Sequence, residues 1–229
     1  LFPYTTLFRS HYLVADAIQP EVGVVGALLL YPDKTIQHAG VVVGIGGWAD
    51  HVYKGCIPKH IGTPFISPMV KRNVSAITGA CMVFTKSVYD QLNGFNEDFQ
   101  ICGSDVDFCL RALNEGYRNV YDPKVVITHF ESKTRNPKDI PSKDFDESKK
   151  SYYELLTFGD PYYNPNLSLD SCIPKENIPI KLHSTSFVNE FKSIPEIRPI
   201  HFRKSTNENK RLNLLIPVVN KSNVFGGAA

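Results

Sequence analysis

Residues 94–135 read GFNEDFQICGSDVDFCLRALNEGYRNVYDPKVVITHFESKTR, a helical pattern followed by a strand that ends in histidine. Val106, Cys109, Leu110 and Leu113 recur at the i, i+3, i+4, i+7 spacing of one helical face, which predicts a helix over residues 105–115 with one apolar stripe. Gly116 follows the last periodic turn, where a residue without a Cβ closes a helix, and Arg111 stands one turn after Asp107 to pair with it. The opening Ser104-Asp105-Val106-Asp107 is a Ser-x-x-Asp box, in which Ser104 is expected to cap a backbone N–H while Asp107 reaches back to the cap residue. Those duties leave Asp105 without a local role. The helix dipole and free N–H groups favour a first-turn carboxylate as the anion, so Asp105 is a candidate proton acceptor, although first-turn acids also decorate ordinary helices.

Residues 117–122, a turn at Pro123 and the β-branched run Val125-Val126-Ile127-Thr128 read as a buried strand that delivers His129 at its end. A lone histidine there is either a hydrogen-bonded structural residue or a ligand. The company of Glu131, Ser132, Thr134 and Arg135 adds hydroxyls and a fixed positive charge, the chemistry that a metal-bound diphosphate requires.

Outward from this stretch, residues 22–31 form an apolar strand, and Pro32-Asp33-Lys34 makes a turn into a second extended piece over residues 35–43. The glycine-rich Gly44-Ile45-Gly46-Gly47-Trp48 opens a polar loop, through His51, Lys54 and Lys59 to Pro68, that is too long for a mere connector. Residues 74–85 are expected as a strand broken at Thr78-Gly79-Ala80, where a missing side chain permits either a bulge or close approach of a ligand. After the charged residues 133–150, residues 152–158 are expected to form a short amphipathic helix with Tyr153, Leu156 and Thr157 inward. Asp160-Pro161-Tyr162-Tyr163-Asn164-Pro165 reads as a rigid structural clasp in preference to a sugar platform, and residues 171–210 as a linker.

The 229 residues are 42% hydrophobic and 21% charged with a formal net charge of +2, which allows a sizeable core and argues against a nucleic-acid footprint. No apolar run approaches the ~18–20 residues needed to cross a bilayer. The five cysteines contain no C-x-x-C pair and leave one over in any pairing, which suits reduced thiols in a cytoplasm.

Taken in order, PEVGVVGALLLYPDKTIQHAGVVVG, VSAITGACMVF, GFNEDF, SDVDFCLRALNEGYRNVYDPKVVITHFES and DPYYNPNLSLD resemble the second half of a family 2 glycosyltransferase with a GT-A fold, of the bacterial cell-surface polysaccharide type. The resemblance implies an α/β fold, a Rossmann-like mixed sheet with flanking helices, over residues 11–170. It further implies inverting transfer from a nucleotide-sugar donor to a glycan or lipid-linked glycan acceptor, with Asp105 as the general base and Ser104 where the family commonly has a second acid. His129 would help hold a divalent cation, Mn2+ or Mg2+, and Thr78, Gly79, Ala80, Trp48, His51, Asp107 and Arg135 would contact substrate. The family's upstream Asp-x-Asp metal motif has no counterpart in the sequence. Asp105-Val106-Asp107 has its letters but opens a helix, with the two carboxylates about 200° apart.

Leu1 to Ser10, LFPYTTLFRS, resembles the translation of a short-read sequencing adapter and is left out of the fold expectation. Arg211-Leu-Asn-Leu-Leu-Ile-Pro-Val-Val219 followed by Gly226-Gly227 is similar to the opening of a GT-B domain of family 4, fused behind a family 2 domain in some rhamnan and O-antigen enzymes. That context suggests a dTDP-rhamnose donor. The localisation expected is cytoplasmic, peripheral at the inner face of the membrane, and the missing half of the nucleotide pocket implies a fragment inactive by itself. The alternative is a non-catalytic carbohydrate-binding or scaffold domain derived from a transferase.

Overall fold

The computed structural model describes residues 5–58, 67–130 and 140–177. In chain order its elements are α1 (Thr5–Ala17), β1 (Val22–Leu30), β2 (Ile36–His38), β3 (Val41–Val43), β4 (Ala49–His51), β5 (Arg72–Val74), β6 (Met82–Val83), α2 (Lys86–Gln91), α3 (Ser104–Asn114), β7 (Arg118–Thr128), α4 (Ser142–Ser151) and α5 (Tyr153–Phe158). Near-continuous apolarity in β1 marks a strand covered on both faces, and it lies at the centre of a sheet ordered β2-β1-β7-β5, with β6 also on β1. β1 and β7 run parallel, and the other pairings are antiparallel. Successive β1 side chains alternate between two cores. Val24 and Leu28 join the layer containing α3, whereas Val25, Ala27 and Leu29 join Leu13 and Ala17 of α1. A mixed sheet with helices on both faces is the α/β arrangement expected of a partial GT-A fold.

Several local expectations are corrected. The second arm of the β1 hairpin breaks after His38, and β3 leaves to pair with β4 in a separate two-stranded sheet. The strand expected over residues 74–85 is divided into β5 and β6, which pair with different partners, so the interruption at residues 78–80 is wider than a bulge. Conversely, Pro123 makes no turn between strands. β7 is continuous, and its register against β1 jumps from Ala27–Asp122 to Leu28–Val126, placing the proline, which has no N–H to offer, where the ladder is interrupted. In α5 the apolar register shifts by one: Tyr152 is 1% exposed and Leu155 packs on the core, while Tyr153 is 65% exposed and Leu156 also faces out. The break between α4 and α5 at Tyr152 resets the helical phase that the periodicity assumed.

Asp160 does tie its segment into the fold. Its carboxylate accepts the Val43 and Tyr162 backbone N–H groups, each at 2.9 Å, and so ties the segment after α5 to β3. Residues 171–177, the described part of the expected linker, fold back on this clasp: Ser168 N–H donates to Lys175 O and Tyr53 N–H to Cys172 O. The remainder of the linker and residues 211–229 lie outside the described residues, as do residues 1–4. Residues 5–10 of the adapter-like string lie in α1, and a helix there is silent on their origin. All five cysteines are free thiols, and among the described residues no helix is long and apolar enough to cross a membrane.

Gly26 sits on β1 where a Cβ would lie 2.3 Å from Ile77 Cγ2, so the sheet can carry only glycine there without repacking. Gly26→Ala is therefore expected to lower stability by about 1–3 kcal/mol in chemical denaturation. It should cost clearly less in an Ile77→Ala background; additive losses would show that the contact is not the cause.

Candidate active site

Asp105 is presented by the first turn of α3, one residue earlier than predicted. The N-cap is Gly103, whose backbone is left-handed at φ +103° and makes no side-chain cap bond, and Ser104 is already inside the helix. The expected capping box therefore does not form. A Cβ at position 103 would approach Phe99 Cε1 to 2.6 Å, so glycine takes the cap position and the serine hydroxyl loses its role there. Asp107 is buried and engaged elsewhere: its carboxylate receives Arg111 Nε at 2.8 Å and Ser151 Oγ at 2.7 Å. Arg111 in turn donates to Leu92 O and to Gly94 O. Asp107 thus fastens α3 to α4 and to the turn after α2, which removes it from the substrate-contact set. The C-terminal reading is right, since Gly116 at φ +86° closes the helix while the Tyr117 and Gly116 N–H groups return to Ala112 O and Leu113 O.

The loop before Asp105 is organised by a residue that sequence reasoning missed. Asp144, in the first turn of α4, is fully buried and accepts the N–H groups of Gln100 (2.8 Å), Ile101 (2.8 Å) and Cys102 (3.0 Å). Burial alone would push its carboxyl up, but the three amides and neighbouring Lys143 outweigh that and hold it below the usual carboxylate range. Its only sequence signal was an acid after Pro141 inside a charged stretch, which any exposed helix start would also show.

Asp105 opens onto a concavity of about 400 Å³ lined by Gly79, Ala80, Phe95, Ile101, Cys102 and Ser104. Its Oδ2 accepts the Gly79 N–H at 2.7 Å and its Oδ1 the Val106 N–H at 2.9 Å, which fixes the carboxylate plane while each oxygen keeps capacity for a second donor. Gly79 and Ala80 are exposed, and a Cβ on Gly79 would lie at an ordinary 3.5 Å from Asp105 Cβ. The open backbone at this turn therefore faces the concavity and is not forced by protein packing.

A second, smaller recess of about 70 Å³ shares Ala80 and Thr78's turn with the first, and is lined also by Gln37, His51, Lys54 and His129. His129 follows the end of β7, its N–H bonded to Leu30 O at 2.9 Å, and its Nδ1 meets Gln37 Oε1 at 2.9 Å. An amide oxygen can only accept, so Nδ1 donates, which leaves Nε2 as the ring atom through which the imidazole could ligate a metal with Gln37 orienting it from behind. The residue thus fits the role of one ligand. Among the described residues no group of three or more His, Cys, Asp or Glu side chains is placed to hold a metal ion. His51 is set by a buried neighbour: the Gly40 N–H donates to His38 Nε2 at 3.3 Å, so the His38 Nδ1 proton points to His51 Nδ1 at 3.0 Å. Burial first, then the charges of His51 and Arg72, keep His38 far below the usual imidazole range and hence neutral. Trp48 lines neither recess. Its ring packs on Phe145 at 4.5 Å between centroids, which is loop packing and not a sugar platform. Arg135 lies outside the described residues.

The model of the family described as Glycosyl transferase family group 2 matches residues 20–149, a range that holds Asp105, the residue 78–80 turn, His129 and Asp144. The chain is similar to the O-antigen biosynthesis protein RfbC of Myxococcus xanthus, with 44% identity over 158 residues that cover 69% of this chain and 12% of that protein. It is also similar to a protein of Sinorhizobium fredii named Uncharacterized protein y4gI, with 41% identity over 165 residues covering 69% of this chain and 18% of the relative. The chain therefore spans less than a fifth of the length of these curated relatives.

Removing the Asp144 carboxylate orphans three backbone donors. Asp144→Ala is expected to cost about 1–3 kcal/mol in equilibrium unfolding. Because the folded-state pKa is depressed, the carboxylate's contribution is fully present above the unfolded value of about 3.9 and is lost as pH falls through the lower folded value. The gap between wild type and variant should accordingly be constant near neutrality and close in acid. A gap that is independent of pH would dismiss the charge as its source.

Proposed function

The chain belongs to the Glycosyl transferase family group 2, and from that premise we propose that it serves inverting transfer of a sugar from a nucleotide-sugar donor to a glycan acceptor in cell-surface polysaccharide synthesis, with Asp105 as general base. The observation that carries this reading is the Asp105 carboxylate, clamped by the Gly79 N–H on the wall of an open concavity with lone pairs to spare. A base in this reaction must be an anion within hydrogen-bond reach of the acceptor hydroxyl, and must not be consumed by an internal ion pair. Among the described residues Asp105 makes no ion pair, which supports this reading, whereas Asp107, two residues on, is held by Arg111.

In the proposed step Asp105 accepts the hydroxyl proton as the acceptor oxygen attacks the anomeric carbon, and the nucleoside diphosphate leaves from the opposite face of the sugar. The exposed turn at Gly79 and Ala80 offers the acceptor a path to the carboxylate past a glycine and one methyl group. His51, its Nδ1 engaged by the His38 proton, lines the neighbouring recess. His129, through Nε2, would be one ligand of a divalent cation, Mn2+ or Mg2+, that supplies positive charge to the departing diphosphate. A rhamnosyl donor, a lipid-linked acceptor at the inner face of the membrane and a fused second transferase domain from residue 211 belong to the same reading. The much greater length of the relatives supports the last of these.

Asp105→Asn, assayed in a polypeptide carrying this domain at the length of its relatives, should leave donor binding nearly intact and lower turnover by about two orders of magnitude or more. Unchanged turnover would remove Asp105 from the base role. His129→Ala should shift the Mn2+ or Mg2+ titration of activity to higher concentration, and an unaltered titration would leave His129 a purely structural residue.

A further inference from the structure

Beyond the two recesses beside Asp105, a cavity of about 250 Å³ lies between β3, β5 and the Asp160 clasp, with Tyr53, Arg72, Ser75, Asp160, Tyr162 and Tyr163 on its walls. We propose that this cavity is a saccharide subsite, taking one neutral hexopyranose ring of the acceptor glycan. The volume is below the ~300–1,000 Å³ of pockets that take drug-sized ligands, so it suits a single ring and not a nucleotide.

The lining matches a sugar in three respects. Asp160 is nine-tenths buried, and each carboxylate oxygen already holds one backbone N–H, from Val43 and from Tyr162, leaving each a second acceptor position for ring hydroxyls. Burial pushes its carboxyl above the usual range, against the pull of Ser75 and those two amides, and a further donor would relieve that cost. Ser75 is buried on the same wall, and its hydroxyl leans toward the Asp160 carboxylate without a hydrogen bond of ordinary geometry, so a ligand hydroxyl seated between them would complete both. Finally, Tyr163 and Tyr162, the latter partly exposed at the rim, bring aromatic surface to the lining for the C–H side of a pyranose.

Charge selects against a phosphate. The Arg72 guanidinium donates to Val70 O at 3.1 Å, Ser67 O at 3.5 Å and Ala39 O, and lies over the Tyr121 ring at 4.5 Å and Tyr53 at 5.5 Å. Its guanidinium is tied to three backbone carbonyls and lies over two rings, which leaves this lining cation little capacity to hold an anion. Ser75 is four residues before Gly79, a separation the chain spans in no more than ~14 Å. An oligosaccharide reaches that far, which makes the cavity a holding point for a unit distant from the reacting hydroxyl.

The proposal rests on the sugar-transfer reading only for the source of the saccharide. The test is a titration of the 15N-labelled chain with the methyl glycosides of glucose, mannose and rhamnose and their disaccharides, with UDP-glucose, dTDP-rhamnose and inorganic phosphate as separate arms. Glycosides are expected to shift the amides of Tyr53, Ser75, Tyr162 and Tyr163, and Tyr162→Ala or Asp160→Asn should weaken that binding about tenfold. Tyr162→Ala alters a rim residue and tests the site even if Asp160→Asn fails to fold. Asp105→Asn should leave the shifts unchanged. The proposal is overturned if no glycoside moves these amides in a folded chain, or if only the nucleotide sugars or phosphate do so. Glycoside binding that persists when Asp105→Asn retains full turnover would sink the catalytic reading alone; absent binding with turnover abolished would sink this proposal alone.

Discussion

The stretch from Ser75 to Gly79 carries the fold into the site, and its backbone must find partners almost without a strand. Beyond β5 a single isolated bridge, Val41–Ala76, pairs it. Side chains supply the rest: Asn119 Nδ2 donates to Ser75 O, Cys109 lies against both the N–H and the C=O of Ile77, and Asp105 takes the Gly79 N–H. A buried backbone group without a partner costs roughly as much as a lost hydrogen bond, which constrains Asn119 and Cys109 together, and Asp105 continues their line onto the exposed Gly79. Burial pushes the Cys109 thiol far up, which keeps it a neutral S–H able to donate to Ile77 O. The same network therefore sets the core and aims the carboxylate. Asp105 is where this side-chain ladder runs out into solvent.

The two recesses on either side of Ala80 follow from the topology. β1 and β7 run parallel, and what comes off their carboxyl ends, Tyr31 and His129, lines the recess that also holds His51. Sites in open α/β sheets collect at such strand ends, where loops diverge and leave a crevice. The start of α3 reaches the crevice from the other side, because Asp144 gathers the preceding loop and Asp107 with Arg111 anchors the helix behind. Carboxylate and imidazole thus come from different elements that share a boundary at residues 78–80.

Much of this was legible in the sequence where the signal is local. The helix carrying Asp105, its glycine stop, the Asp107–Arg111 pair and the strand ending at His129 follow from spacing of 3, 4 or 7 residues, and the clasp at Asp160 from its proline-bounded turn. What escaped depends on distance in the chain. Asp144 bonds residues 42 to 44 positions earlier, and His38 needs Gly40 and His51 to acquire its tautomer. Phe108, placed off the apolar stripe by helical periodicity, is fully buried because Phe84, Tyr89 and Phe95 close over it. The cap at Gly103 in place of Ser104 and the burial of Tyr152 in place of Tyr153 are one-residue shifts, each imposed by a neighbour that no local pattern reveals.

The central claim is that the Asp105 carboxylate, clamped by the Gly79 amide, is the group that meets the acceptor oxygen. The most direct measurement is a crystal structure of the domain with an acceptor saccharide and an unreactive donor analogue. The account predicts the attacking hydroxyl within about 2.6–3.2 Å of an Asp105 carboxylate oxygen, with the Gly79 bond preserved. An acceptor seated with its hydroxyl beyond the reach of Asp105, against another acid or against none, would contradict it.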